Sequence, residues 1–257
     1  MTGGFVMMNL LFIFLAGLVT IHQSEGSFLI QKSQRLPQNF TFGRKLPEEL
    51  PAKSRTYYAV KPGTCNILFS GLDEDQKKEI VNIHNKLRQK VANGNQPKQP
   101  SAMNMNLLRW DDKLAHSAQT LSNTCIAKHK KPILKTYRSV GQNIGSGWSS
   151  FTEKTAKFKS FIDAWYDEVK LFDSKKIQPF LYTKAYGHYT QVVWARTLAV
   201  GCGFTAYRDD KGVFNKIFVC NYGPSGNYPG SAVYLSGKTC TACRKGCSKQ
   251  FPGLCNI

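Results

Sequence analysis

Eight cysteines behind an apolar leader constrain this 257-residue chain more than any other feature. Residues 10–21 form an almost unbroken apolar run that includes Leu11, Phe12, Ile13, Phe14, Leu15 and Val19. A bilayer span needs about 20 such residues, so a run of about a dozen is too short. Ser24-Glu25-Gly26 follows, with small residues at the two positions a signal peptidase reads. The pattern predicts a secretory signal over residues 1–26, cut between Gly26 and Ser27, although no Lys or Arg precedes the apolar run. An exported chain meets an oxidising environment, so its cysteines are expected to pair as disulfides. Spacing alone leaves many pairings open.

The bridges need not substitute for a core. Residues 27–64 contain Pro37, Pro47, Pro51 and Pro62, the dibasic pair Arg44-Lys45 and no sustained periodicity, and read as an extended arm or pro-segment. Within it, Asn39-Phe40-Thr41 is a glycosylation sequon in the right compartment. About 190 residues follow the arm, enough for one domain with its own core. Removing residues 1–26 takes away one carboxylate, Glu25, and no Lys or Arg, so the formal charge moves from +19 to +20. So basic an extracellular protein meets anionic lipids, heparin-like glycans or acidic receptor faces, and no nucleic acid is expected as a partner. Lys128, Lys130, Lys131, Lys135 and Arg138 crowd into eleven residues and read as a solvated basic loop.

Periodicity begins at Asp73. Asp73 and Gln76 have capping-box spacing. Ile80, Ile83, Leu87 and Val91 then repeat at helical intervals up to Asn93-Gly94, predicting one amphipathic helix. His84 lies inside that stripe and is expected as a packed core histidine. A second helix starts at Asp111 or Asp112 and runs through Leu114, Ala118 and Leu121 to Cys125, with His116 on its solvated side. In a third helix, Phe158, Phe161, Ile162, Trp165, Val169 and Phe172 hold one stripe. At about 100° per residue, Asp167 points away from that stripe and Glu168 sits at its edge. Of these two carboxylates, only Glu168 can face a cleft.

Val200, Cys202, Phe204 and Ala206 alternate on one face of a strand, as Phe218 and Cys220 do on the next. Asp209-Asp210-Lys211-Gly212 between them has the composition of a tight hairpin turn. Centring that turn on Lys211 sets Cys202 opposite Cys220, which makes a cross-strand bridge natural. After Gly230, Cys240, Cys243, Cys247 and Cys255 fall within sixteen residues of little apolar content. A segment that short needs staples. A zinc knuckle is the alternative, but a second CxxC or a histidine is missing, and an oxidising compartment disfavours free thiolates.

Two blocks are too long and specific to arise from composition: Gly187-His188-Tyr189-Thr190-Gln191-Val192-Val193-Trp194, and Cys220-Asn221-Tyr222-Gly223-Pro224-Ser225-Gly226-Asn227-Tyr228. With the cysteines they resemble the superfamily of cysteine-rich secretory, antigen 5 and pathogenesis-related 1 proteins (CAP), and within it the arthropod antigen 5 branch. The resemblance covers about residues 65–257. It implies an α+β fold, a three-layer α-β-α sandwich with a small antiparallel sheet, stabilised by disulfides. Residues 65–232 would form the CAP domain and 233–257 a cysteine-rich, hinge-like tail. The implied pairs are Cys65–Cys125, Cys202–Cys220, Cys240–Cys247 and Cys243–Cys255.

The resemblance also implies a cleft of two histidines and two acidic residues. One histidine follows a helical cysteine by four, matching His129, which a further helical turn would stack above Cys125. The second, from the GHYTQ block, is His188. The glutamate of a Trp-Tyr-Asp-Glu sequence is Glu168. The other acidic position belongs to a Gly-Glu-Asn turn, which here reads Gly141-Gln142-Asn143. His129, Glu168 and His188 would then ligate a divalent metal, zinc or copper, with Gln142 adding a neutral oxygen and lowering the affinity. The alternative is a hydrogen-bonded polar cluster with no metal. The second carboxylate of an acid/base pair is missing, and no catalytic residue is assigned.

The implied function is that of a secreted, monomeric, non-enzymatic binding protein of saliva, venom or haemolymph, of the allergen type. Its partner would be a small hydrophobic ligand, lipid included, a metal, a host extracellular factor, or an anionic glycan or lipid surface. A copper- or zinc-assisted redox or hydrolytic enzyme at His129 and His188 is the second reading, although the chain has no HExxH and no Gly-x-Ser-x-Gly elbow. An ion-channel or receptor antagonist is the third. The channel-blocking domain that can follow such a hinge is not found before Ile257, and Arg208-Asp209-Asp210 does not supply Arg-Gly-Asp.

Overall fold

A computed structural model of the chain describes residues 65–130, 132–149 and 157–257. The expected signal over 1–26, the arm over 27–64 with Asn39, and Lys131 lie outside the described residues. Among the described residues, five strands form one sheet: β1 (Asn66–Ser70), β2 (Arg109–Trp110), β3 (Gly141–Ser149), β4 (Ala199–Arg208) and β5 (Phe214–Gly223). Their order is β1-β4-β5-β3, all antiparallel, with two-residue β2 lying parallel to β4. The β4–β5 register centres on Lys211, and Cys202 faces Cys220 as the hairpin argument requires. Asp209 locks the turn by accepting from the amides of Lys211 and Val213 at 3.0 and 2.9 Å.

Among the described residues, four α-helices cover the sheet: α1 (Glu74–Ala92), α2 (Asp112–Ser122), α3 (Phe158–Asp167) and α4 (Gly187–Val192). The capping box at Asp73 and Gln76 forms in both directions. Strand alternation then sorts the layers. Cys202, Phe204, Phe218, Cys220 and Tyr222 join the large core beneath α1, α3 and α4. Ile217 and Val219 face α2 with Ala118 and Leu121. On the first face, Phe158 meets Phe204 edge-on at 5.6 Å, and Trp165 stacks on Phe218 at 5.5 Å. On the second, α2 lies almost on the strand. A Cβ at Gly201 would fall 2.3 Å from the Ala115 nitrogen, and one at Gly203 would fall 2.4 Å from Gln119. Gln119 uses that proximity to accept from the Phe204 amide at 3.0 Å and donate to its carbonyl at 2.9 Å.

Three local expectations change. Helix α2 ends at Ser122, not Cys125: Asn123 caps it, Thr124 folds its hydroxyl back onto the Leu121 carbonyl, and Cys125 turns the chain with φ of +59°. The third helix is not continuous, because it tightens into a 3-10 turn over Glu168–Leu171. The expected turn at Gly141-Gln142-Asn143 is the start of β3. All eight cysteines are bridged, as Cys65–Cys125, Cys202–Cys220, Cys240–Cys247 and Cys243–Cys255, so none is left for a zinc knuckle.

The tail is part of the core. Val233, Tyr234 and Leu254 are buried. The Cys255 amide donates to the Met105 carbonyl at 2.7 Å, and the Leu107 amide returns to the Cys255 carbonyl at 3.0 Å. Beneath it lies Arg88, fully buried, whose guanidinium donates to the carbonyls of Asn106, Val192, Trp194, Ala195 and Thr197. Burial pushes its pKa down to about 9, so it remains a cation at neutral pH, held by carbonyl dipoles with no carboxylate partner among the described residues. The sequence carried a signal for it: Ile80, His84 and Arg88 follow one another at four-residue steps on the apolar face.

Candidate functional site

The break between α3 and the following 3-10 turn puts Glu168 beneath the first turn of α4. One carboxylate oxygen accepts from His188 Nδ1 at 2.6 Å, and the other from the amides of His188 and Tyr189 at 2.9 and 3.1 Å. An ionised carboxylate only accepts, so Nδ1 carries the proton and Nε2 is the open position of the ring. Trp165 stacks on the same imidazole at 6.2 Å. The pair is partly sheltered, with side-chain exposures of 32% for His188 and 20% for Glu168.

Behind it runs a buried polar chain. Asn143 donates to the His188 carbonyl and to the Tyr222 hydroxyl, at 3.2 and 3.3 Å. The Tyr222 hydroxyl meets His84 Nε2 at 2.9 Å, and His84 Nδ1 reaches the Ile80 carbonyl at 2.8 Å. That carbonyl fixes the proton on Nδ1, so Tyr222 donates to Nε2. Burial pushes the His84 pKa down to about 4; the hydrogen bond to Ile80 opposes the shift and the Arg88 charge adds to it. His84 is a neutral core histidine at every physiological pH.

His129 stands elsewhere. Its Nδ1 lies 3.1 Å from Gln142 Oε1, which also accepts from the Lys130 amide at 3.2 Å. Gln142 Nε2 donates to the Lys130 carbonyl and to Asn221 Oδ1, and Asn221 donates on to the Leu114 carbonyl of α2. Gln142 and Asn143 are consecutive on β3 and so point to opposite faces of the sheet. Gln142 serves the α2 side, and Asn143 the α3–α4 side. The four residues of the expected cleft therefore come as two pairs, Glu168–His188 and Gln142–His129. No hydrogen bond or ion pair joins them, and no group of three His, Cys, Asp or Glu residues that could hold a metal occurs among the described residues. His129 is exposed on an extended segment, because α2 stops too early to stack it above Cys125.

Both pairs, the Gly187–Trp194 block and the first three residues of the second block fall within residues 81–222, which match the family model described as the cysteine-rich secretory protein family, CAP. The chain belongs to the CAP family. It is 41% identical over 196 residues to Scoloptoxin SSD976 of Scolopendra dehaani, covering 75% of this chain and 89% of that protein. To Venom allergen 5 of Tityus serrulatus it is 35% identical over 223 residues, 80% of this chain but only 53% of the scorpion protein. Among solved structures, BmVAL-1 superposes with a TM-score of 0.63 at 27% identity, over 72% of this chain and 96% of that one. The crystal structure of NaASP2 with Zn2+ gives 0.57 at 25% identity, over 77% and 100%. The chain is thus a venom allergen-like CAP protein.

In this CAP protein the donor set does not fit a resident metal ion. Both oxygens of Glu168 are engaged by three donors, which makes it an orienting acceptor for His188 rather than a ligand. What remains is one Nε2 on His188 and one on His129, fewer than the three protein ligands of a catalytic zinc. The two CAP motif blocks are hydrogen-bonded to each other. Gln191 accepts from the Gly226 amide at 2.9 Å, Thr190 donates to Asn227 at 2.7 Å, and Asn227 donates to the Gly187 carbonyl at 2.8 Å. Asn143, Tyr222 and Asn227 escaped the sequence reading, although two of them sit inside a block it singled out. It also missed an open groove of about 760 Å³ between α1, β2 and the tail, lined by Val81, Leu107, Trp110 and Phe251 and also by charged residues such as Glu74, Lys77 and Arg109.

Proposed function

We propose that this CAP protein is an extracellular, non-enzymatic binding protein. The observation that carries the reading is the use made of Glu168. Its three hydrogen bonds hold α4 and one imidazole in place, leaving no second carboxylate to work as an acid/base partner. No hydroxyl or thiol is hydrogen-bonded to His188 Nε2 among the described residues, so a nucleophile is missing as well. The groove offers what binding needs: its volume lies within the usual range for small-molecule sites, and Val81, Leu107, Trp110 and Phe251 give it apolar surface beside its charged lining. A small hydrophobic ligand or an apolar stretch of a host extracellular factor suits it. The venom names of the relatives support export, and no helix among the described residues is long and apolar enough to cross a membrane.

Metal binding is the second reading, supported by the zinc in the NaASP2 structure and by the open Nε2 of His188. One titration decides between them. Purified protein and its His188→Ala variant are titrated calorimetrically with zinc and copper, then assayed for superoxide and ester turnover. Weak, sub-stoichiometric binding without turnover is expected. Tight stoichiometric binding with turnover, both lost in His188→Ala, would replace this reading with the enzymatic one.

A further inference from the structure

Residues 126–138, between α2 and β3, contain the described cations Lys128, Lys130, Lys135 and Arg138 and no carboxylate. All four are exposed, and none appears in an ion pair among the described residues. Between them stand Ile126, 60% exposed, and Ile133, 98% exposed. The segment is nevertheless anchored. Cys125 fixes its start through the bridge to Cys65. Gln142 clamps the Lys130 amide and carbonyl in its middle, at 3.2 and 3.1 Å. Near its end, the Tyr137 hydroxyl donates to Asp111 at 2.7 Å, while its ring packs on Gly223, where a Cβ would fall 2.6 Å away. The loop is held at three points while its four described cations and both isoleucines face solvent.

A single exposed isoleucine needs no explanation. Branched apolar side chains alternating with unneutralised cations have the chemistry of an interfacial segment. Ammonium and guanidinium groups meet lipid phosphates and carboxylates while the apolar side chains enter the headgroup boundary. A sulfated glycan would use the cations and gain nothing from Ile133. We propose that Ile126, Lys128, Lys130, Ile133, Lys135 and Arg138 form a docking surface for an anionic phospholipid membrane. The surface lies on the α2 side and is independent of the groove and of the Glu168–His188 pair.

The test is sedimentation of the mature protein with vesicles of phosphatidylcholine alone, or of phosphatidylcholine and phosphatidylserine at roughly 70:30, at low and high salt. Binding is expected only to the anionic vesicles and falls with salt. At about fivefold per lysine, the Lys128→Ser/Lys130→Ser/Lys135→Ser variant should need about 100-fold more lipid for half-binding. Ile133→Ser should need several-fold more, and Ile126→Ser should move in the same direction. A control with the same charge change elsewhere, Lys175→Ser/Lys184→Ser/Lys245→Ser, should shift the curve no more than about threefold. Equal losses in the two triple variants would reduce the effect to net charge and overturn the proposal. So would failure to bind anionic vesicles, or heparin binding that depends on the lysines while Ile133→Ser changes nothing on vesicles.

Discussion

The two histidine pairs occupy equivalent roles in different currencies of charge. Glu168 and His188 lie partly sheltered on the α3–α4 side, where an ionised acceptor takes three donors and sets the start of a helix. Gln142 and His129 lie on the α2 side at an exposed edge, where a neutral amide both accepts and donates. An amide can answer the Lys130 amide and carbonyl together; a carboxylate could answer only the first. The substitution that looks like a lost acid in a metal site is, in this fold, a fastener for the loop that carries His129.

The largest effect should separate the pairs by stability. Glu168→Ala leaves two amides of α4 and one imidazole without their acceptor, and should cost about 2–4 kcal/mol. Glu168→Gln keeps an acceptor and should recover part of that loss. Gln142→Ala removes neutral hydrogen bonds, three of them exposed and one to the buried Asn221 Oδ1, and should cost about 1 kcal/mol. Urea denaturation of the three variants checks the ranking. Equal losses at Glu168 and Gln142 would erase the distinction between a structural lock and a loop fastener.

The next effect comes from the inner end of the Glu168 side, where Asn143 and Tyr222 connect the His188 backbone to His84. The folded-state pKa of His84 is lowered to about 4, against an ordinary value of about 6.5. Between those values the unfolded chain binds the proton more readily, so stability is fully present above about pH 6.5 and is lost as pH falls toward about 4. The loss attributable to this residue is about 3 kcal/mol at most. Denaturation of the native protein and of His84→Gln at pH 7.5, 6 and 5 should show a steeper decline for the native chain. Parallel declines would mean that the core admits a charged imidazole, and that the inner network is wetter than its burial suggests.

These residues also mark how far the sequence could be read. The capping box at Asp73, the end of α1 at Asn93 and the hairpin centred on Lys211 depend on neighbours close in the chain, and local chemistry determines them. The early stop of α2 does not: Cys125 adopts its positive φ where the bridge to distant Cys65 forms. The β3 strand was hidden because Gly141, Gly145 and Gly147 have poor strand propensity. Their value appears only in three dimensions, where Gly141 abuts Gln191 and Gly145 abuts Phe161. The resemblance placed His129, Gln142, Glu168 and His188 in one cleft, whereas the structure pairs Glu168 with His188 and Gln142 with His129. Grouping depends on which face of β3 each side chain takes, and a residue read as part of a turn has no face.

The smallest effect is the most discriminating. Gln142→Glu restores an acidic residue where the family's pattern has one, beside His129 and the Lys130 amide. It loses the two donations of the amide, so stability should change by no more than about 1 kcal/mol. If β3 alternation keeps residue 142 on the α2 side, the new carboxylate cannot reach His188, and zinc titration should show no tight site. A stoichiometric zinc site in Gln142→Glu that disappears on adding His188→Ala would mean that both pairs open into one cavity. The neutral amide, rather than the sidedness of the strand, would then be what keeps this chain from holding a metal.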